Sequence, residues 1–252
     1  MTMSDAILLV IFALVSYMFG NINWAIIISK SKHKDIRSMG SGNPGTLNMS
    51  RNLGLKFGLL TFFLDIMKGV IPTLTAYFVF YGKFFKNSEF YISDFAIFLC
   101  GLSVVLGHIY PIIFKFKGGK GIASTIGVFL VCQSVYGLEW AVIIIMSLVA
   151  ALTFIYLTEF GAMGSFIAIT PPAIASLVRL FIVYASSQNQ TTINFYMATT
   201  TLIFAICLFT WVAHRHNIER MLSGDEQPTS IKEMVIKMKE KKAVSKDKNA
   251  NK

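Results

Sequence analysis

Residues 114–121 read F-K-F-K-G-G-K-G, three lysines and three glycines in eight positions of an otherwise apolar chain. Glycines let successive backbone N–H groups turn toward one anion, a neighbouring lysine adds a point charge, and a helix starting immediately afterwards adds the positive end of its dipole. Gly118, Gly119, Lys120 and Gly121 stand directly ahead of the apolar run that opens at Ile122 and have that arrangement. The chemistry implied is phosphate binding. A nucleotide P-loop does not fit, because G-x-x-x-x-G-K-[ST] needs glycine at Phe114 and serine or threonine at Gly121.

Two further loops share this character. Residues 35–51, D-I-R-S-M-G-S-G-N-P-G-T-L-N-M-S-R, combine backbone-freeing glycines with the neutral hydrogen-bonding groups of Ser41, Asn43, Thr46 and Asn48 beside Arg37 and Arg51. Residues 214–226, H-R-H-N-I-E-R-M-L-S-G-D-E, form another cluster of His, Arg and Asn. Together the three loops are expected to surround a doubly phosphorylated reaction centre. Neither D-x-x-D nor H-E-x-x-H occurs, and the four histidines stand at 33, 108, 214 and 216, so no metal or other cofactor is expected. Phosphate charge must then be met by Arg, Lys and backbone N–H. Without a G-x-S-x-G elbow a covalent serine hydrolase does not fit either, which leaves chemistry on an already activated substrate.

The elements that position these loops are membrane spans. With 54% hydrophobic and 14% charged residues, and apolar runs of bilayer length, the chain is polytopic. At roughly 20 apolar residues per crossing, spans are expected near 5–28, 54–81, 92–113, 122–137, 139–157, 161–184 and 194–213. The fold class is an all-α integral membrane protein with seven transmembrane helices. Cys100, Cys132 and Cys207 lie inside apolar runs without metal or disulfide spacing and read as small packed hydrophobes.

Nineteen of the 23 Lys and Arg fall in residues 29–56, 114–121 and 214–252, whereas the opposite face carries only Lys83 and Lys86 in its loops. The positive-inside rule therefore places the N-terminus outside and the C-terminus in the cytoplasm. The formal charge of +10 reflects this gathering rather than a nucleic-acid partner. Lys68 and Arg179 lie within spans, Arg179 close enough to an end to snorkel. Residues 1–226 read as one membrane domain. Residues 227–252 read as a basic tail without chemistry, amphipathic around Ile231–Met238 and then disordered, resting on anionic lipid.

The three loops, in this order, resemble the motifs of the bacterial glycerol-3-phosphate acyltransferases that use acyl phosphate, the PlsY family. Asp35, Arg37, Gly40, Ser41, Gly42, Asn43, Gly45, Asn48 and Arg51 fit the first motif, with Thr46 and Leu47 in place of Ala and Thr. Gly107, His108, Pro111, Phe116, Lys117, Gly118, Gly119, Lys120 and Gly121 fit the second. His214, Arg215, Asn217, Ile218, Arg220, Gly224 and Glu226 fit the third, with Met221 for leucine. Asp65, Lys68 and Gly69 match a D-x-x-K-G between them, while a family serine pair is represented by Ser165 alone, Ala162 replacing its partner.

The resemblance implies transfer of a fatty acyl group from acyl phosphate to the 1-hydroxyl of glycerol 3-phosphate, giving lysophosphatidic acid and phosphate. It places this at the cytoplasmic face of a bacterial inner membrane and implies a soluble enzyme that supplies acyl phosphate. Lys120 and the backbone of Gly118, Gly119 and Gly121 are expected to hold phosphate. Arg51 and Ser41 are expected to meet anionic or hydroxyl oxygens, and His214 and Asn217 to orient glycerol 3-phosphate. Gly42, Asn43, Asn48, Arg220 and Glu226 complete the expected binding set. The acceptor's proton goes either to His214 or to a substrate phosphate oxygen. His108 reads as a brace for the glycine loop, and Asp65 with Lys68 as a charge pair on one helix face, either structural or lining the site. A transporter fits less well, since the distinctive loops all share one face, and a phosphatidyl transferase lacks its metal-binding carboxylates.

Overall fold

The computed structural model describes residues 1–86, 88–226, 228–236 and 238–240 and is all-α apart from an isolated bridge between Phe84 and Tyr91. The first apolar segment is two helices rather than one. α1 (Met3–Gly20) ends at Asn21, and Asn23 starts α2 (Trp24–Lys30) by accepting the Ile26 N–H on its side chain. The intervening carbonyl of Ile22 accepts from the Lys68 ammonium at 2.7 Å, so the break has a partner within the protein. Next come α3 (Thr46–Leu53), α4 (Leu55–Phe80), α5 (Ile92–Ile109), α6 (Ile122–Ser134), α7 (Leu138–Thr158), α8 (Gly161–Ser186), α9 (Gln190–Ala213) and α10 (Arg215–Ser223).

Among the described residues, six apolar segments have the length to cross a bilayer: Met3–Lys30, Leu55–Phe80, Ile92–Phe114, Leu138–Thr158, Gly161–Ser186 and Gln190–Ala213. The seventh expected span, 122–137, forms the 13-residue α6. At 1.5 Å per residue α6 is about 20 Å long, short of the roughly 30 Å hydrocarbon core. It lies at the centre, with Ser124, Thr125, Val128, Phe129 and Cys132 fully buried, so protein rather than lipid surrounds it.

α6 packs closely on α4 because both offer glycine at the crossing. A Cβ on Gly127 would lie 2.1 Å from the Ile66 carbonyl oxygen, and one on Gly69 2.2 Å from that of Ser124. α1 crosses α5 in the same way through Gly20 and Gly107. Between membrane helices, where burial from water drives little, such close backbone approach is a main source of cohesion. The large core joins α5, α6, α8 and α9 through Phe98, Phe129, Ile126, Ile169 and Ile206. A smaller cluster of Ala25, Ile26, Ile36 and Met49 seats loop 35–51. All three cysteines are buried and free.

Arg179 turns inward rather than snorkelling: its guanidinium lies 3.4 Å from the Tyr136 ring centroid and within 5.2 Å of those of Trp140 and Tyr196. The amino terminus sits beside the α4–α5 connection, where its ammonium donates to the Phe84 carbonyl and Asp5 pairs with Lys83 at 2.9 Å. Residues 231–236 are helical, whereas 237 and 241–252, where the rest of the expected amphipathic and disordered tail falls, lie outside the described residues.

Replacing Gly127 by valine should push α6 off α4 and destabilise the protein by about 1–3 kcal/mol, the usual scale for overpacking. Thermal unfolding in detergent would show a lowered midpoint, whereas Val149→Ala on the exposed face of α7 should leave it unchanged.

Candidate functional site

The glycine loop is built from the end of α5. Pro111 stops that helix, a 3-10 turn (Ile112–Phe114) follows, and Lys115 and Phe116 both adopt left-handed backbone, φ 53° and 60°. This unfavourable geometry is held by the Phe116 N–H donating to the Pro111 carbonyl at 2.9 Å. The chain then folds back on α5, with Gly118 donating to the Ile109 carbonyl at 3.2 Å and Gly119 to that of His108 at 3.1 Å. Glycine is required here by space, since a Cβ on Gly118 would lie 2.0 Å from the His108 carbonyl oxygen and one on Gly119 2.3 Å from His108 Nε2. The N–H groups of Gly118 and Gly119 are therefore engaged with α5. Among the described residues, no backbone carbonyl accepts from the N–H groups of Lys120, Gly121 or Ile122. Gly121, at φ 84°, opens α6 without a side-chain cap, so the part of this loop whose N–H groups are not taken by α5 begins at Lys120.

Beneath the loop lies a buried charged cluster. The Lys68 ammonium stands 3.2 Å from Asp65 Oδ1, 2.7 Å from the Ile22 carbonyl oxygen and 2.6 Å from His108 Nδ1. A lysine ammonium only donates, so Nδ1 accepts and the ring hydrogen sits on Nε2, the atom nearest the space above Gly119. This arrangement fits the brace reading for His108. Asp65 and Lys68 are buried below the loop.

Above it, Lys120 donates to Asn217 Oδ1, Asn217 Nδ2 donates to Glu226 Oε1 at 2.8 Å, and Arg220 Nε donates to Glu226 Oε2 at 3.3 Å. Burial lowers the Lys120 pKa to about 8, Glu226 opposing and the charges of Arg220 and Arg51 assisting. Burial also lowers Arg51, although a guanidinium stays charged. Three cations from three separate loops thus converge on one carboxylate.

His214 is buried at the end of α9, and its Nδ1 donates to the Thr210 carbonyl at 2.8 Å, which leaves Nε2 as the acceptor. Burial, with help from the Lys120 charge, pushes its pKa down to about 4 against the Thr210 hydrogen bond, so it is neutral at physiological pH.

The structure brings Arg51, Lys120, His214, Asn217, Arg220 and Glu226 together. Loop 35–51 is more self-contained. Asn48 is buried and fully used: its Nδ2 donates to the carbonyls of Ile36 and Met39, and its Oδ1 accepts from Ser41 N–H and Asn52 Nδ2. Gly42, at φ 70°, donates to Met39, and Arg37 pairs locally with Asp35 at 2.6 Å. Ser41 is exposed and Asn43 half-buried, both beside the loop's own turns.

One site residue escaped sequence reasoning. Thr229, beyond the third motif in a polar Pro-Thr-Ser stretch, is fully buried, and Arg51 Nη2 donates to its hydroxyl. No local pattern marks it. The tail is thus not wholly a surface element.

A family model described as glycerol-3-phosphate acyltransferase matches residues 10–224. A glycerol-3-phosphate acyltransferase of Mycoplasmopsis pulmonis is 34% identical over 220 residues, covering 86% of this chain and 91% of its own. One of Enterococcus faecalis is 34% identical over 239 residues, covering 94% and 99%. The crystal structure of PlsY (YgiH), described as an integral membrane glycerol 3-phosphate acyltransferase, superimposes in its glycerol 3-phosphate form with a TM-score of 0.66 at 28% identity, covering 90% of this chain and 98% of that one. Its lysophosphatidic acid form gives 0.64 at 29% identity, covering 92% and 99%.

Lys68→Met leaves Asp65 buried without its ammonium and should cost about 3–5 kcal/mol, the scale for stranding one member of a buried ion pair. The double variant Asp65→Leu/Lys68→Met should recover part of that loss. Thermal unfolding of the two proteins in detergent would test this, and an equal or lower midpoint for the double variant would rule out the pairing.

Proposed function

Because the chain belongs to the glycerol-3-phosphate acyltransferase family, we propose that it transfers a fatty acyl group from acyl phosphate to the 1-hydroxyl of glycerol 3-phosphate, releasing lysophosphatidic acid and inorganic phosphate. The observation that carries this reading is the convergence of Arg51, Lys120 and Arg220 around Glu226, beside the uncapped start of α6. A phosphate bound there gains ammonium, guanidinium and helix-end N–H donors at once.

In the reaction the acceptor oxygen forms a bond to the acyl carbon, and the acyl carbon–oxygen bond to phosphate breaks, its electron pair leaving with phosphate. Acyl phosphate is already activated, so placement and charge neutralisation supply most of the acceleration. Lys120 and the N–H groups that follow it hold the departing phosphate. Arg51 and Ser41 meet the oxygens of the second substrate, with Gly42 and Asn43 shaping the loop behind them and Asn48 holding that loop. His214 Nε2 accepts a hydrogen bond from the acceptor hydroxyl and so orients it. Its pKa of about 4 makes it a weak base, whereas a phosphate monoester's second pKa is about 6. The proton therefore goes to a substrate phosphate oxygen.

The gathering of basic residues supports an orientation with the site toward the cytoplasm of a bacterium and the N-terminus outside. In this reading α6 acts as a seventh, protein-enclosed helix, residues 1–226 form the enzyme, and a soluble enzyme supplies acyl phosphate. The acyl chain lies among the spans.

The test is transfer from radiolabelled palmitoyl phosphate to glycerol 3-phosphate by the purified protein, with palmitoyl-CoA as parallel donor. Lysophosphatidic acid should form from acyl phosphate alone, and Lys120→Ala should lower kcat by about 100-fold or more, the scale for one preorganised donor. kcat/KM should fall as pH rises through about 8, where Lys120 loses its proton, and Lys120→Arg should move that limb upward. His214→Ala should keep part of the activity. No product from folded protein with either donor would overturn the reading.

A further inference from the structure

After Gly224, where the family match ends, the chain turns back into the protein. Thr229 N–H donates to the carbonyl of Glu159 at 2.8 Å, at the left-handed residue that ends α7. Its side chain, fully buried, enters beside the α7–α8 turn, and a Cβ on Gly161 would lie 2.8 Å from the Thr229 hydroxyl oxygen. The hydroxyl accepts from Arg51 Nη2, across 178 residues of sequence. One residue of the C-terminal segment therefore ties α3 to the start of α8.

We propose that Thr229 is a positioning residue for Arg51, holding the guanidinium in the orientation that binds a substrate phosphate oxygen. The choice of group matters. A hydroxyl presents lone pairs without charge, so it fixes one N–H of the guanidinium without adding to the negative charge of Glu226 nearby. A second carboxylate at this point, added to Glu226, would offset more of the positive charge of the site. Fixing the long arginine side chain beforehand removes the entropy that substrate binding would otherwise cost. The segment also brings a hydroxyl to the turn where Ala162 stands in place of the serine of the resembled motif. This proposal rests on the acyltransferase reading for the identity of the anion, but not for the contact.

The experiment uses the full chain in lipid nanodiscs, with Thr229→Val, Thr229→Ser, Arg51→Ala and the Arg51→Ala/Thr229→Val double variant. Thermal midpoints, inorganic phosphate affinity and the kinetics of acyl transfer are measured for each. Thr229→Val should weaken phosphate affinity and raise KM for a phosphate substrate by about tenfold, as expected for losing a hydrogen bond to a charged group. kcat should change less than KM, and Thr229→Ser should stay within about twofold of the starting protein. In the Arg51→Ala background, Thr229→Val should have no further effect on phosphate affinity. Equal affinity in Thr229→Val, or a gain in activity from it, would overturn the proposal, the gain marking the segment as a plug instead. Additive losses from the two substitutions would also overturn it. A starting protein that binds phosphate but transfers no acyl group would refute the acyltransferase reading alone, because the coupling between Thr229 and Arg51 is still decided by phosphate affinity.

Discussion

The ammonium of Lys68 is the constraint on which the rest of the structure depends. It is 1% exposed, inside a helix of membrane-spanning length, where an uncompensated charge costs several kcal/mol. Compensation comes from three directions: Asp65 one turn earlier on α4, His108 at the end of α5, and the carbonyl of Ile22, free because the helix between α1 and α2 is broken. Asp65 balances the charge within α4, and the other two partners fix α5 and the α1–α2 break relative to it. The pair itself contributes little net stability once desolvation is counted, but it leaves few other ways to assemble these segments.

From that cluster the geometry propagates outward. His108, with its ring orientation set by Lys68, leaves just enough room for two glycines, and the loop lies flat on the end of α5. The same loop then delivers Lys120 and the start of α6 to the place where Arg51, Asn217 and Glu226 arrive from other parts of the chain. A buried brace on one side and a charged cluster on the other suit a reaction whose donor is already activated, because such a reaction asks chiefly for fixed positions and fixed charges.

Much of this was legible in the sequence, and the exceptions share a cause. Long apolar runs and the clustering of basic loops marked the spans because both signals are local. The break at Asn21–Asn23 was not legible, since Gly20 before it lies in an unbroken apolar run and the group that stabilises the break stands 46 residues away. α6 was expected to run to 137 and stops at Ser134. Its apolar composition reflects enclosure by other helices rather than the thickness of a bilayer. The G-G-K-G motif was read as a phosphate cradle throughout, yet the N–H groups of Gly118 and Gly119 are spent on α5, and among the described residues only those from Lys120 onward lack a backbone acceptor. Thr229 carried no signal at all, because its burial depends on the shape of the α7–α8 turn, a feature of three dimensions alone.

The central claim is that a phosphate settles where Lys120 and the first turn of α6 meet Arg51. A crystal structure grown from lipid with inorganic phosphate, the released product, together with glycerol 3-phosphate tests it most directly. The account predicts inorganic phosphate oxygens within about 3 Å of the Lys120 ammonium or the N–H groups that follow it, and glycerol 3-phosphate beside Arg51 with its acceptor hydroxyl turned toward His214 Nε2. Phosphate bound instead against the exposed Lys115 and Lys117, with the Lys120–Asn217–Glu226 chain undisturbed, would contradict it.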